Sequence, residues 1–376
     1  MNLTDIVTPA ALIDLSRMQH NIDRMQSQIN SLGVSFRPHV KTSKCVEVTA
    51  AQITAGAQGI TVSTLKEAEQ FFAAGIIDIV YAVGIVPTKL KQAHALISLG
   101  CDLKILTDSV ASARAITSYG AANGLTFKVL IEIDTDDHRS GIKPESQTLL
   151  DVAAELVSPG AHIEGVLTHA GSSYDLNSPS ALIAMAEQER SLCVRAATRL
   201  REAGYACEIV SVGSTPTALS AVNLDGVTEV RAGVYIFFDL VMHNVGVCSL
   251  DEIALSVLTT VIGHQEEKGW AIIDAGWMAM SRDRGTQKQI ADYGYGQVCR
   301  VDGTPIPGFI VSGANQEHGI LSSREALGTS ISDMFPVGMQ LRILPNHACA
   351  TGAQFPQYQA LDSTGHVETW ERFYGW

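Results

Sequence analysis

Charge is what this sequence has least of. Only 17% of its 376 residues are Asp, Glu, Lys or Arg, and the basic ones are fewer, 26 against 39 acidic, for a net charge of −13. An acidic surface repels phosphate backbones and anionic lipid, which argues against nucleic acid or a membrane as partner. A local basic pocket for a small anion remains open. No apolar run reaches about 18 residues, so no spanning helix is expected. The opening MNLTDIVTPAALIDL has neither a basic n-region nor an apolar h-region, which argues against a secretory signal. There is no CxxC pair. The seven cysteines, scattered from Cys45 to Cys349, suit a reduced, cytoplasmic protein better than a disulfide framework. A GxGxxG loop is also missing. Gly294 and Gly296 lack both the third glycine and the βαβ setting of a dinucleotide loop.

What is present is a rhythm. PAALIDLS (8–15) reads as a strand leading into a helical stretch near 16–31. Eight short apolar runs follow, at 36–41, 59–64, 78–84, 102–108, 126–134, 162–171, 208–215 and 229–238. Between them lie longer stretches rich in Ala, Leu, Glu and Gln. Eight β-α units predict an α/β protein built on a closed (β/α)8 TIM barrel. A doubly wound open sheet is the rival, weakened by the missing glycine-rich loop. After about residue 250 the helical stretches fade and strand-like runs dominate, with Asp302-Gly303 as a hairpin signal. The expected division is a barrel over 13–248 and an all-β domain over 249–376, joined by residues 1–12.

In such a barrel the active site lies at the C-terminal ends of the strands. Lys41 ends the first barrel strand, where a lysine amine can form a Schiff base. Arg37 and His39 on the same strand face are expected to lower its pKa. The plain alternative is a solvated lysine, with Lys44 as the natural control. Gly213, Ser214 and Thr215 close the seventh strand and open a helix at Pro216. Their amides and hydroxyls are expected to hold an anion. Arg231 to Tyr235, with Gly233 and Val234, follow on the eighth strand. Strands seven and eight are where barrel phosphate sites form, although either motif alone is also an ordinary glycine turn. Arg139, after the fifth strand, is a candidate for a cofactor oxygen or ring, or for a salt bridge with Asp134 or Asp136. His169 and Thr64 belong to the same strand-end collection.

His347 and Cys349 lie two residues apart in a run read as strand, so their side chains are expected on one face. Imidazole and thiolate favour zinc among the usual ions. Two ligands leave positions open, the catalytic pattern. The plain alternative is a core cysteine beside a surface histidine.

R-P-H-V-K-T (37–42), V-S-T-L-K-E-A-E (62–69), I-E-I-D-T-D-x-H-R-S-G (131–141), G-S-T-P-T with R-A-G-V-Y, N-Q-E-H-G (315–319), P-N-H-A-C (345–349) and the closing W-E-R-x-x-G-W together resemble the alanine racemase-like pyridoxal phosphate enzymes of fold type III, in their D-serine dehydratase and D-threonine aldolase branch. The resemblance covers nearly the whole chain. It implies a cofactor Schiff base on Lys41, with phosphate held by Ser214, Thr215, Gly233, Val234 and Tyr235. It implies a divalent metal (Zn, Mn, Co, Ni or Mg) on His347 and Cys349, and a homodimer. It places Tyr174 near the cofactor ring and leaves His318 as a less firm first-shell candidate. The implied reaction is dehydration of a β-hydroxy D-amino acid, with 3-hydroxyaspartate, giving oxaloacetate and ammonia, ahead of D-serine, giving pyruvate. Aldolases of the branch usually have an acidic second metal ligand, so Cys349 points to dehydration. Retro-aldol cleavage and a non-catalytic pyridoxal phosphate carrier are the alternatives.

Overall fold

A computed structural model describes residues 3–157 and 159–376. They divide into two compact units, 24–157 and 159–233 with 373–376, and 3–23 with 234–372.

After β1 (Ala10–Asp14), the first unit contains β2 (Ser35–Pro38), β3 (Ile60–Val62), β4 (Asp78–Gly84), β5 (Asp102–Thr107), β6 (Phe127–Ile133), β7 (Ala161–Thr168), β8 (Ile209–Val212) and β9 (Glu229–Ala232). All eight pair in parallel, in the order β2-β9-β8-β7-β6-β5-β4-β3. A single bridge between His39 and Thr61 closes the ring. The eight expected runs therefore each become one strand of the barrel. Alternate residues of a strand share a face. Val80, Leu106, Leu130 and Leu167 form one buried cluster across β4 to β7. Nearer the N-terminal ends, the same faces of β4, β5 and β6 carry a ladder of ion pairs. Lys128 pairs with Asp102 (2.8 Å), Lys104 with Asp102 (2.9 Å) and Asp78 (2.8 Å), and Arg37 with Asp78 (2.9 Å) and Glu229 (2.8 Å).

The second unit adds β10 (Leu255–Gln265), β11 (Trp270–Ile273), β12 (Gly296–Cys299), β13 (Pro305–Ala314), β14 (Gly319–Ser323), β15 (Gln340–Pro345), β16 (Gln357–Leu361) and β17 (Val367–Glu371). With β1 they form a nine-stranded sheet, antiparallel except where β1 meets β16. Because β11 also pairs with β10, six of these strands close on themselves. The hairpin at Asp302-Gly303 forms, with the Asp302 carboxylate accepting from the Thr304 amide at 2.8 Å.

The boundaries of the units differ from 12/13 and 248/249. All of β1 pairs with β10 and β16, because Ala10 to Ile13 complete an apolar face there. After β9 the segment from Val234 onward also joins the second unit. At the other end Phe373 returns to the barrel, edge-on to Phe71 at 5.1 Å between ring centroids.

Candidate functional site

β2 stops at Pro38 and the chain reverses at once, with the Lys44 amide donating to the Val40 carbonyl at 2.8 Å. Lys44 closes this turn in the left-handed region, at φ 46°. The two lysines of the turn have different surroundings. Lys44 Nζ pairs at 2.9 Å with the buried Glu67, which also accepts from the Ser63 amide and hydroxyl. Exposed Lys41 makes no hydrogen bond or ion pair among the described residues. Thr64 caps the helix Leu65–Ala73 and bonds Glu67 both ways, so its hydroxyl is already used.

The expected electrostatic help for Lys41 is not there. Arg37 is neutralised by Glu229 and Asp78, because its place on β2 faces the ladder. His39 is held neutral: burial, then the charges of Lys41 and Arg231, push its pKa well below the usual value. Neither residue supplies a free positive charge.

His169 follows β7. Its Nδ1 lies 3.0 Å from the Gly213 carbonyl, which can only accept, so Nδ1 carries the proton. Shielding from water, with the charges of Lys41, Arg231 and Arg139, pushes its pKa down to about 3 despite that bond. The ring is neutral at pH 7, with its lone pair on Nε2. The Tyr174 ring is tilted against it at 6.2 Å between centroids. Arg231 is buried, donating to Ser211 Oγ and the Thr168 carbonyl, each at 2.6 Å. Its Nε has no partner among the described residues, and neither has His39 Nδ1. Arg139 is exposed and its partner is Glu132 (3.6 Å), not Asp134 or Asp136. Asp134 pairs with Lys143, and Asp136 accepts from Ser172.

The anion expectation needs correction at two amides. The Gly213 amide donates to Glu189 at 3.0 Å, and the Ser214 amide donates to Thr217 Oγ1 at 3.0 Å. The cause is local: the helix Thr215–Ser220 is only six residues long, and Ser214 and Thr217 cap it reciprocally. Gly213 sits at φ 135°, where a Cβ would collide with the Arg231 carbonyl. Gly233 is equally hemmed in, since a Cβ there would meet the His39 carbonyl at 2.9 Å and Thr42 Oγ1 at 3.2 Å. Val234 and Tyr235, both buried, belong to the other unit.

In that unit β15 ends at Pro345, and His347 is the N-cap of the helix Ala348–Gly352. His347 and Cys349 are therefore brought together by a helix start, not by an extended strand. Proline has no N–H for the ladder. Buried Asn346 then diverts the chain, donating to the carbonyls of Asp283 and Gly294 and accepting from Thr286. Asp239 accepts from the Ala348 amide with one oxygen and from Met242 with the other. His347 Nδ1 lies 2.6 Å from Asp283 Oδ2. Partial burial would lower the His347 pKa, but Cys349, Asp283 and Asp239 outweigh it and raise it to about 11. His318 is exposed in the turn between β13 and β14. Sequence reading missed Asp239, Asp283 and Glu189. The one local hint is the charged S-R-D-R (281–284) in a charge-poor region.

Residues 13–241 match the family described as "Alanine racemase, N-terminal domain", and 254–361 match "Putative serine dehydratase domain". The chain belongs to the alanine racemase-like, fold-type III pyridoxal phosphate enzymes. The D-threo-3-hydroxyaspartate dehydratase of Delftia sp. (strain HT23) is 62% identical over 376 residues, 100% of this chain and 99% of that protein. The D-serine dehydratase of Dictyostelium discoideum is 29% identical over 97% of this chain and 96% of its own. A solved structure of the Delftia protein matches with a TM-score of 0.99, covering 100% of both chains. A histidine-to-alanine variant and a cysteine-to-alanine variant in the metal-free form match with TM-scores of 0.99, covering 97% and 100% of those chains.

The residues present fit the family's cofactor. Lys41 offers an amine with no competing bond, and Arg231 Nε and His39 Nδ1 are buried polar atoms lacking partners. Glycine at 213 and 233 keeps the strand ends free of side chains. A divalent ion also fits. Imidazole and thiol make a borderline-soft pair, set among carboxylates that favour positive charge. Among the described residues no three His, Cys, Asp or Glu side chains form a ready metal cage. A two-ligand site of this kind leaves positions open for water or substrate.

Proposed function

We propose that this chain is a pyridoxal phosphate- and divalent metal-dependent lyase that removes water from a β-hydroxy D-amino acid, with D-threo-3-hydroxyaspartate as substrate and oxaloacetate and ammonia as products. The observation that carries this reading is the His347–Cys349 pair, in a chain 62% identical from end to end to the Delftia dehydratase. Two similar solved structures are D-threo-3-hydroxyaspartate dehydratase variants in which a histidine and a cysteine two positions apart are replaced, the cysteine variant in the metal-free form.

Bound pyridoxal phosphate supplies an electron sink for charge developing at Cα, and a metal ion supplies a Lewis acid for the departing hydroxide. The chain's own residues do the rest. Lys41 Nζ would hold the cofactor and would serve as the base that takes the proton from Cα. His169 stays neutral, with the charge of Lys41 among the causes, and keeps Nε2 as an acceptor. Arg231 is anchored through both terminal nitrogens, and its unpartnered Nε is a donor available for the cofactor. Thr215, Gly233, Val234 and Tyr235 would hold the phosphate. The Gly213 and Ser214 amides, already bonded, shape the turn. His347 and Cys349 would hold the metal. The same reading carries a homodimer, checked by light scattering, and residence in the cytoplasm, where seven free cysteines are at home.

The deciding experiment is ammonia release from a panel of D- and L-β-hydroxy amino acids, with and without chelator. Metal-dependent ammonia from D-threo-3-hydroxyaspartate supports the proposal. Pyruvate from D-serine alone would change the substrate, and release of glycine or glyoxylate would mean retro-aldol cleavage. Inertness toward the whole panel would leave a carrier.

A further inference from the structure

Glu189 lies on the helix Pro179–Glu202, behind the ends of β7 and β8, and is 1% exposed. A buried carboxyl in a barrel helix needs partners, and its partners are specific. One oxygen, Oε1, accepts from the Ala170 amide at 2.8 Å and from the Gly213 amide at 3.0 Å. Ala170 is the residue after His169. Gly213 is the residue whose carbonyl takes the His169 Nδ1 proton. His169 is thus fixed at both ends, through its following peptide and through its ring, and both fixtures lead to one oxygen atom.

We propose that Glu189 is a positioning residue that acts through His169. It holds the Gly213 amide, two torsions from the carbonyl that keeps Nδ1 protonated, and so leaves Nε2 as the acceptor. The proposal rests on the reading that the cofactor is held at Lys41. Its physical content is an acceptor at a fixed place. Without that acceptor two buried amides lose their partner. Gly213, at φ 135°, then loses the bond on its amide, and a glycine's free torsions pass that loss on to its own carbonyl. The His169 ring follows the carbonyl it is bonded to. A tie that merely joins helix to barrel wall would act independently of the His169 ring.

The test is a double-variant cycle on cofactor affinity. Pyridoxal phosphate is titrated into the full-length chain, with visible circular dichroism of the bound cofactor as the second readout. Glu189→Ala should weaken binding about tenfold and alter the dichroic band. Glu189→Gln, which keeps an acceptor oxygen, should stay within about twofold of wild type. In a His169→Ala background, Glu189→Ala should add less than about twofold. If Glu189→Ala does not fold, Glu189→Asp, whose shorter reach cannot serve both amides, carries the same expectation. Losses that multiply in the double variant, an unchanged band and affinity in Glu189→Ala, or failure of Glu189→Gln would each overturn the assignment. Absence of pyridoxal phosphate binding by the wild type, or a wild-type spectrum from Lys41→Ala, would instead remove the cofactor reading beneath it.

Discussion

His347 Nδ1 lies 2.6 Å from Asp283 Oδ2, where the carboxylate accepts the ring N–H and fixes the orientation of the imidazole. Carboxylates that brace a metal-bound histidine set both its tautomer and its basicity. Asp283→Ala should therefore weaken divalent metal binding about 10- to 100-fold, read by competition with a chelating dye. Unaltered affinity would reduce the contact to surface packing.

The metal is expected to serve the reaction and not the fold. Two ligands are too few for a closed structural site. Chelation should abolish ammonia release while leaving the thermal midpoint and the bound cofactor's absorption nearly unchanged. Cys349→Ala should match the chelated protein and gain nothing from added metal. Unfolding on chelation would contradict this.

The two lysines of the turn after β2 should part company. Lys41→Ala should lose the cofactor's absorption band and all activity. Lys44→Ala should keep the band but lose about 1–3 kcal/mol of stability, because buried Glu67 loses its ion pair. A band that survives in Lys41→Ala would contradict the assignment.

Gly233→Val should lower pyridoxal phosphate affinity. Even a bare Cβ there is within 2.9 Å of the His39 carbonyl, and the larger side chain must push the strand end outward. The expected loss is about tenfold or more. Equal affinity in the variant and the wild type would place the phosphate elsewhere.

The ion-pair ladder predicts an acid response. Burial would raise the pKa values of Asp78 and Asp102, but hydrogen bonds and charge from Arg37, Lys104 and Lys128 hold both below 3.8. A depressed carboxyl pKa contributes stability that is fully present above the unfolded value and disappears as pH falls through the folded one. Lys104→Met should thus be less stable than wild type at about pH 7, and the two should converge toward about pH 2. Thermal midpoints across that range are the measurement, and a gap that widens in acid would contradict the account.

How much of this could be read from the residues depends on the distance over which each feature is encoded. The strands of the barrel were legible because each is a short apolar run bounded by its own turn signals. GILSS (319–323) carries no strand signal of its own: it is short, half polar, and recognisable only through its ladder with β13 and β11. The His347–Cys349 spacing was legible, but its conformation was not. The strand signal of ILP runs straight into it, and what ends the strand is Asn346 bonding to Thr286 and to the Asp283 and Gly294 carbonyls. Asp283 is 64 residues from His347, and Glu189 is 24 from Gly213. No local pattern connects such pairs. The amides of Gly213 and Ser214 escape a local reading for a related reason: a glycine turn looks open until its hydrogen-bond partners are known.

The pairing of β1 has a consequence for how the protein is made. Leu12 leaves the ribosome well before its register partner Gln359, which is 347 residues later. At about 5–20 residues per second, that strand waits roughly 17–70 s for its second neighbour, while the whole parallel barrel is synthesised in between. Throughout that interval a buried-type apolar strand has an open edge. A nascent chain stalled after the barrel would expose it, making Ala10–Asp14 a natural segment for chaperones to engage.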